Sequence, residues 1–446
     1  MAASFIERMK EKILSNKIDS SLYAKYNVKR GLRNNDESGV LVGLTEIGDV
    51  HGYTFDEGEM QPAEGRLLYR SININKIVAG MLQEDRHGFE EVIYLLLFGD
   101  LPSKSELDEF NEVLDSHRVL PAGFAEDMIM RAPSQDIMNK LARSVLVSYS
   151  YDKNADSIAI DNVLRQCIEL IARFPTMAAY GYQAKSHYYD GNSLHIHTPQ
   201  PGIGTAENLL YLIRDDSKYT KLEAQVLDLS LVLHAEHGGG NNSTFTNHVV
   251  TSTHTDTYSS IAAALCSLKG PRHGGANNKG LSMMENIMEN VKNWDDDDEV
   301  GEYLRKIVNK QAYDKAGLIY GFGHAIYTLS DPRAILLKEK AFELASEKGL
   351  EPELNLLVKV EKLAPQILLE EKHSEKRVSA NVDFYSGFVY KMLNIPVPLF
   401  TPIFAIARVA GWTAHRLEEL ANGGRIIRPA YRNVSPKKKY IPMAER

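Results

Sequence analysis

Residues 163–171, Val-Leu-Arg-Gln-Cys-Ile-Glu-Leu-Ile, place apolar side chains at helical spacing. The stripe consists of Val163, Leu164, Cys167, Ile168 and Ile171, which recur at i, i+3 and i+4 intervals. Further out, Ser103 and Glu106 form a capping-box pair that predicts the start of another helix. From about residue 88 to 268 the same pattern predicts helices of moderate length joined by polar connections. The sequence therefore predicts a mainly α fold.

Strands are favoured in one region only, between about residues 39 and 74. Short β-like runs occur there, at 40–42 and 66–70, and Gly and Asp residues interrupt them as in small hairpins. We therefore expect a few short N-terminal strands beside the helices.

The length of 446 residues exceeds the size at which a single core usually stops growing, so two domains are expected. The interval 276–384 is helical and rich in charge, which favours a small domain there. The large domain would combine 1–275 with 385–446. A cleft between the two would enclose a substrate and exclude water.

Composition excludes several classes of protein. The net charge of -8 offers no basic field for nucleic acid. No apolar run is expected to approach the length needed to span a bilayer, so no membrane partner is expected. Cys167 and Cys266 are the only cysteines, which provides neither a disulfide framework nor a cysteine metal cluster and fits a reducing compartment. The N-terminus has no apolar signal core, so we expect a cytoplasmic protein.

Three short segments carry side chains that can move protons. They are residues 270–277 (Gly-Pro-Arg-His-Gly-Gly-Ala-Asn), 321–333 and 381–387, and they contain His273, His324 and Asp383. Glycines and turn formers surround these side chains, and such positions let the backbone approach a ligand closely. Two histidines and a carboxylate in these places suggest acid/base chemistry on a small substrate.

The first two segments follow recognisable helix signals. A helix should end before Gly270, which leaves His273 able to donate a hydrogen bond to a carbonyl that becomes an enolate, or to be a loop histidine without a task. Asp331 can cap a helix with Pro332 at its first position and Arg333 next to it. Arg333 would then bind a carboxylate, or pair with a neighbouring acid on the helix surface.

Two further charged residues have unusual neighbours. Aromatic side chains follow Asp383, which would desolvate it and raise its pKa toward that of a general base, although an Asp in this setting is also a common turn or cap residue. Arg408 is the only charged residue of 399–414, a predicted helix with Thr401 as N-cap and Pro402 as first residue. A lone buried cation needs either an internal acid or an anionic substrate.

His234 and His237 stand at i and i+3, which predicts that both lie on one helical face. Two imidazoles so placed could hold a metal, but the zinc-protease spacing is absent and no third ligand is evident. Hydrogen bonding to a substrate is the preferred interpretation.

These segments, in this order, resemble the citrate synthase family from about residues 65–70 to 425–429, which is most of the chain. The resemblance implies a two-domain helical fold and a homodimer whose active sites lie in the interdomain clefts. It also implies an acyltransferase that condenses acetyl-CoA with oxaloacetate and then hydrolyses citryl-CoA. Coenzyme A is then part of the substrate, and neither a metal nor a redox cofactor is required.

The family's site residues can be carried over by matching position. His273 would hydrogen-bond the thioester carbonyl, Asp383 would remove the methyl proton, and His324 would donate a proton to the keto oxygen of oxaloacetate. The oxaloacetate carboxylates would be held by His237, Arg333, Arg408 and, from the partner subunit, Arg428.

The coenzyme A contacts are less well defined, because Ala325 stands where many bacterial relatives carry arginine. The contacts carried over or suggested are Arg272, Gly321, Gly323, Lys376, Arg377 and Asn381. Three alternatives remain open: a 2-methylcitrate synthase that uses propionyl-CoA, a metal-dependent hydrolase built on His234, His237 and Asp383, and a non-catalytic helical scaffold.

Overall fold

The computed structural model describes residues 2–15, 17–34, 36, 38–56, 59–372 and 378–446. The chain divides into two compact units, Met1–Leu44 and Thr45–Arg446. The first unit contains helices α1 (Ala2–Ser15) and α2 (Ser21–Lys25). No strand forms at 40–42, so that part of the strand prediction is wrong; the Val40 N–H donates to the Leu32 carbonyl instead.

The second unit begins with a small antiparallel sheet. Its strands are β1 (Gly48–Asp56), β2 (Glu59–Tyr69) and β3 (Ile72–Asn73), in that order across the sheet. Gly48 pairs with Tyr69 at one end of the β1–β2 hairpin. The buried Tyr69 hydroxyl donates to the Val232 carbonyl at 2.9 Å and so attaches the sheet to the helical core.

Helices make up most of the remaining chain. Those before residue 270 are α3 (Ile74–Gln83), α4 (Phe89–Phe98), α5 (Lys104–His117), α6 (Ile137–Ser148), α7 (Ile160–Asp190), α8 (Thr205–Ile213), α9 (Lys221–His234), α10 (Asn242–Thr251) and α11 (Thr257–Leu268). Those after it are α12 (Ala276–Asn290), α13 (Asp297–Val308), α14 (Pro332–Lys348), α15 (Glu351–Lys372), α16 (Val382–Met392) and α17 (Phe400–Ala421). The mainly α fold with a few short strands is confirmed.

Local sequence explains several of these helices. Ser103 and Glu106 form the predicted capping box at the start of α5. The stripe that begins at Val163 lies on α7, where Val163 and Cys167 are completely buried. Asp331 caps α14, with Pro332 as its first residue, as predicted.

The predicted start of α17 is wrong. The helix begins at Phe400 with Leu399 as N-cap, because a 3-10 turn at Val397–Leu399 already directs the chain into it. Pro402 lies in the first turn, where its missing N–H costs nothing. The Thr401 hydroxyl donates to the Gly274 carbonyl at 3.1 Å instead of capping the helix.

Helix α17 is the central element of the core. Every residue from Phe400 to Arg416 is buried. Contrary to the sequence-based expectation, Val397–Ala421 is long and apolar enough to cross a membrane by composition, and 89% of its apolar window is buried inside the chain. The division into a large domain (1–275 plus 385–446) and a small one (276–384) stays a prediction.

Candidate active site

The segment before α14 and the segment before α16 are joined through their main chains. Asn381 N–H donates to the Gly321 carbonyl at 2.8 Å, and Gly323 N–H donates to the Ser379 carbonyl at 3.0 Å. The Asn381 side-chain amide adds a bond of 2.9 Å to the Gly323 carbonyl. This pairing fixes the position of His324 relative to the first turn of α16, which carries Asp383.

Main-chain groups determine the tautomer of the His324 ring. Its Nδ1 accepts the N–H groups of Ile326 at 3.1 Å and Tyr327 at 3.2 Å. An Nδ1 that accepts hydrogen bonds carries no proton, so the neutral ring has its proton on Nε2. The ring stacks on Tyr327, with centroids 4.8 Å apart, and is therefore held as a proton donor of fixed orientation.

His237 lies edge to face with His324, with ring centroids 5.0 Å apart. The expectation that His234 and His237 share a helical face is wrong, because α9 ends at His234 and His237 lies in the irregular segment that follows. The His237 Nε2 atom is buried without a hydrogen-bond partner among the described residues. Burial, together with nearby Arg333, holds the pKa of His237 well below its usual value, so the ring is neutral.

Arg408 is fully buried on α17, as predicted. Its Nε donates to the His234 carbonyl at 2.6 Å, and its guanidinium lies 4.7 Å from the Phe404 ring centroid. Burial lowers its pKa to about 10, although Glu236 opposes that shift. Its Nη1 and Nη2 have no partner within the described part of the chain. An unsatisfied buried donor costs about 1–3 kcal/mol, so the two Nη atoms mark a position for an anionic ligand.

Arg333, at the start of α14, pairs with the neighbouring acid Asp331. Its Nε donates to Oδ1 at 3.0 Å and its Nη2 to Oδ2 at 2.7 Å. The pair is buried, not on a helix surface. Burial lowers the pKa of the guanidinium, but Asp331 outweighs this effect and the pKa is raised.

Asp383 occupies the first turn of α16, where its N–H donates to the side chain of Asn381 at 3.0 Å. Burial raises the pKa of its carboxyl group to about 6, in spite of the opposing charges of Arg333 and Arg408. A carboxylate with this pKa is ionised at neutral pH and is a stronger base than an exposed aspartate.

His273 lies in the turn between α11 and α12, beside Phe404. Its Nε2 is 3.0 Å from the hydroxyl of Ser243, which also accepts the Trp412 indole N–H at 3.2 Å. Burial and the charge of Arg408 lower the pKa of His273 to about 4, so its ring is neutral at neutral pH. Ser243 was not among the residues predicted from the sequence; its only local signal is its position after the glycines at 238–240 and two asparagines.

The structure thus brings together six of the predicted residues: His237, His273, His324, Arg333, Asp383 and Arg408. Arg272, Ala325 and Arg428 are exposed. Lys376 and Arg377 fall outside the described residues. The roles of all these residues remain predictions.

Metal ligation has no candidate here. Across the described residues, no group of three or more His, Cys, Asp or Glu side chains could hold a metal ion. In His234, Nδ1 bonds to the Ser230 carbonyl at 2.7 Å, which commits that nitrogen to the protein.

The β1–β2 hairpin supports the segment that carries His324. A Cβ atom at Gly65 would overlap the Ser330 carbonyl oxygen and would lie 2.9 Å from Tyr327 Cδ1. A Cβ atom at Gly52 would overlap the Ile326 carbonyl oxygen in the same way. Glycine is therefore required at both positions for the backbones to approach.

We expect Gly65→Ala to lower kcat/KM for the anionic substrate about tenfold or more, because the 326–330 segment must move and displaces His324 and Arg333. The control is Gly80→Ala on α3, where a new Cβ meets nothing within 4 Å. Steady-state kinetics and thermal melting of both variants test this. Full activity of Gly65→Ala would contradict the role assigned to the hairpin.

Comparison with known proteins agrees with this geometry. A family model described as "Citrate synthase, C-terminal domain" matches residues 35–430. A citrate synthase of Synechocystis sp. is 36% identical over 391 residues, which cover 86% of this chain and 89% of that protein. A 2-methylcitrate synthase of Shewanella oneidensis is 34% identical over 389 residues, which cover 85% and 92%.

A solved citrate synthase from Thermoplasma acidophilum, in a ternary complex with carboxymethyl coenzyme A and oxaloacetate, has the same fold. The TM-score is 0.76 at 26% identity, and the match covers 94% of this chain and 99% of that one. A citrate synthase structure from Pyrobaculum aerophilum matches with a TM-score of 0.73 at 31% identity, covering 92% and 94%.

Proposed function

The chain belongs to the citrate synthase family, and we propose that its six-residue cluster condenses acetyl-CoA with oxaloacetate. The observation that carries this proposal is the pair of buried Nη atoms of Arg408, which find no partner among the described residues and lie beside neutral imidazoles and a carboxylate of raised pKa. A dianionic keto acid would supply the missing acceptors.

Enolisation requires a base and a hydrogen-bond donor that act together. Asp383 takes a proton from the methyl group of acetyl-CoA while His273 donates a hydrogen bond to the thioester oxygen. For His273 to donate through Nδ1, its Nε2 must accept the Ser243 hydroxyl proton. The 3.0 Å separation permits this when the hydroxyl proton turns away from the Asn241 side-chain oxygen, which lies 2.9 Å from the same hydroxyl. A neutral imidazole suits this role because its proton is shared with the enolate and not lost to it.

Carbon–carbon bond formation then uses the other half of the cluster. The nucleophilic methylene carbon attacks the keto carbon of oxaloacetate, and His324 Nε2–H gives its proton to the keto oxygen, which becomes a hydroxyl group. Arg333 and Arg408 hold the carboxylates and His237 adds a hydrogen bond. Water then cleaves the citryl-CoA thioester, which releases citrate and the thiol of coenzyme A. No step of this scheme uses a metal or a redox cofactor.

The choice of acyl group is tested by steady-state kinetics with oxaloacetate and either acetyl-CoA or propionyl-CoA. We expect a higher kcat/KM with acetyl-CoA. Pockets discriminate one methylene by only about 10–200-fold, so both rates must be measured. A higher kcat/KM with propionyl-CoA would make the enzyme a 2-methylcitrate synthase, and no product from either would refute the condensation.

A homodimer completes the proposal. The segment from 424 to 442 forms neither helix nor strand, and apolar side chains on it are exposed, including Ile426 at 64% and Tyr431 at 96%. Arg428 lies on this segment and is exposed. Burial of the segment on a second copy of the chain would cover the apolar side chains and deliver Arg428 to the partner's oxaloacetate.

Mixing two inactive variants tests this arrangement. An equimolar mixture of Arg428→Ala and Asp383→Ala chains with exchanged subunits should regain about one quarter of wild-type activity, since half of the dimers are mixed and each mixed dimer has one intact site of two. Heterodimers of Arg333→Ala and Asp383→Ala should stay inactive, because both residues belong to the same chain's cluster. Failure of the first pair to recover activity, in heterodimers that demonstrably form, would count against the crossing of Arg428.

Individual residues support the two remaining expectations, a cytoplasmic location and the contacts with coenzyme A. Cys167 and Cys266 are both free, which suits a reducing cytoplasm. Arg272 is exposed next to His273, where a phosphate of coenzyme A could reach it. Gly321, Gly323 and Asn381 are proposed to line the same substrate through their main chains.

A further inference from the structure

The two arginines of the cluster are held differently. Arg408 leaves both Nη atoms unpartnered among the described residues, whereas Arg333 is held at Nε and Nη2 by Asp331. Asp331 is only 1% exposed. It is therefore a buried carboxylate, adjacent to the proposed chemistry, to which the mechanism above gives no task.

Asp331 also binds two main-chain groups. Its Oδ1 accepts the N–H of Arg333 at 3.0 Å, which caps α14. Its Oδ2 accepts the N–H of Val382 at 3.2 Å. Val382 is the first residue of α16 and precedes Asp383. One carboxylate thus joins the first turn of the helix that carries Arg333 to the first turn of the helix that carries the base.

The charge of Asp331 acts on Asp383 as well. The charged groups that influence the Asp383 carboxyl are Arg333, Asp331 and Arg408, and the phenol of Tyr390 also lies within electrostatic range. Arg333 and Arg408 stabilise the ionised form of Asp383, and Asp331 destabilises it. Without the negative charge of Asp331, the positive charges of Arg333 and Arg408 would act on Asp383 unopposed and would lower its pKa, which makes it a weaker base.

On the basis of the proposed function, we propose that Asp331 is a positioning residue of the condensation, which aligns Arg333 with the first turn of α16 and limits the cationic charge around Asp383. Arg333 binds one substrate and Asp383 deprotonates the other, so Asp331 controls the alignment of the two. A role as helix cap alone would need only the Oδ1 contact.

Asp331→Asn tests the proposal. We expect kcat to fall about tenfold or more, because a weaker, displaced base loses part of its general-base contribution. In the wild type, kcat/KM for acetyl-CoA should decline at low pH as Asp383 becomes protonated; this decline is called the acid limb. In Asp331→Asn the acid limb should move to lower pH by about one unit, since a like charge has been removed from beside Asp383. Circular dichroism and calorimetric titration with oxaloacetate verify that the variant is folded and binds substrate.

Asp331→Glu separates charge from geometry. It keeps the negative charge but lengthens the side chain, so we expect a wild-type acid limb with a reduced kcat. Asp296→Asn is the matched control: Asp296 caps α13 through Asp298 N–H at 2.9 Å in an exposed position, and its loss should leave the acid limb in place.

Three results of these experiments would overturn the role proposed for Asp331. Wild-type kcat and an unmoved acid limb in Asp331→Asn would overturn the proposal, and so would a reduced kcat without any shift of the limb, which indicates capping alone. If Asp331→Asn does not fold, wild-type kcat in Asp331→Glu is the overturning result. Absence of citrate from the wild-type enzyme would instead refute the proposed function.

Discussion

Asp383→Ala is expected to abolish condensation and to leave oxaloacetate affinity largely intact. Loss of a general base typically costs about 10²–10⁴ in rate, so kcat should fall about a thousandfold. Oxaloacetate binding should persist because Asp383 acts on the other substrate, while Arg333, Arg408 and His237 remain in place. Steady-state rates and calorimetric titration with oxaloacetate measure the two effects separately, and unchanged turnover would refute the assignment.

The wild-type pH profile provides a second measurement of the same residue. The base must be unprotonated, and its pKa is raised to about 6. We therefore expect kcat/KM for acetyl-CoA to be constant at neutral pH and to decline as the pH falls through about 6. In Asp383→Ala the residual rate should lack this limb.

Arg408→Met is expected to weaken oxaloacetate binding about a hundredfold or more, because two charge-assisted hydrogen bonds are each worth about 1.5–3 kcal/mol. The free protein should melt at about the same temperature, since removal of a buried cation with two unpartnered Nη atoms among the described residues offsets the loss of its Nε bond to the His234 carbonyl. Calorimetry and thermal melting with and without oxaloacetate test both expectations. In wild type the ligand should raise the melting temperature, and in the variant it should not.

Arg416→Met is the matched control on the same helix. Arg416 is also fully buried, but its Nε and Nη1 bond to the hydroxyls of Thr257 and Thr251, and its Nη2 bonds to the Thr255 carbonyl at 2.7 Å. Its replacement should lower the melting temperature, because those acceptors lose their donor, and should leave oxaloacetate affinity unchanged. Equal loss of affinity in both variants would mean that Arg408 acts through the packing of α17 and not through its charge.

Features that depend on neighbouring residues were predictable from the sequence. The α7 stripe, the capping box of α5 and the Asp331–Pro332 start of α14 all follow from local hydrogen bonding and helical periodicity. The burial of Arg408 was predictable for the same reason, since its apolar neighbours on α17 leave it no path to solvent.

Features that depend on tertiary contacts were not predictable. The start of α17 was misplaced because a preceding 3-10 turn, not Thr401, directs the chain into the helix. The contact of Ser243 with His273 joins α10 to the turn after α11, and the bond from Asp331 to Val382 spans 51 residues. No local pattern records such pairs. The resemblance to a known family supplied the convergence of the three segments, and the structure then supplied its geometry.

The main-chain bonds between 321–323 and 379–381 have a mechanical consequence. These bonds hold the segment that carries His324 against the first turn of α16, which carries Asp383, so a displacement of either segment is transmitted to the other. His273 lies on a different segment, the turn after α11. The separation between the proton donor of carbon–carbon bond formation and the base of enolisation is therefore set by main-chain hydrogen bonds, which substitution of the surrounding side chains would leave in place.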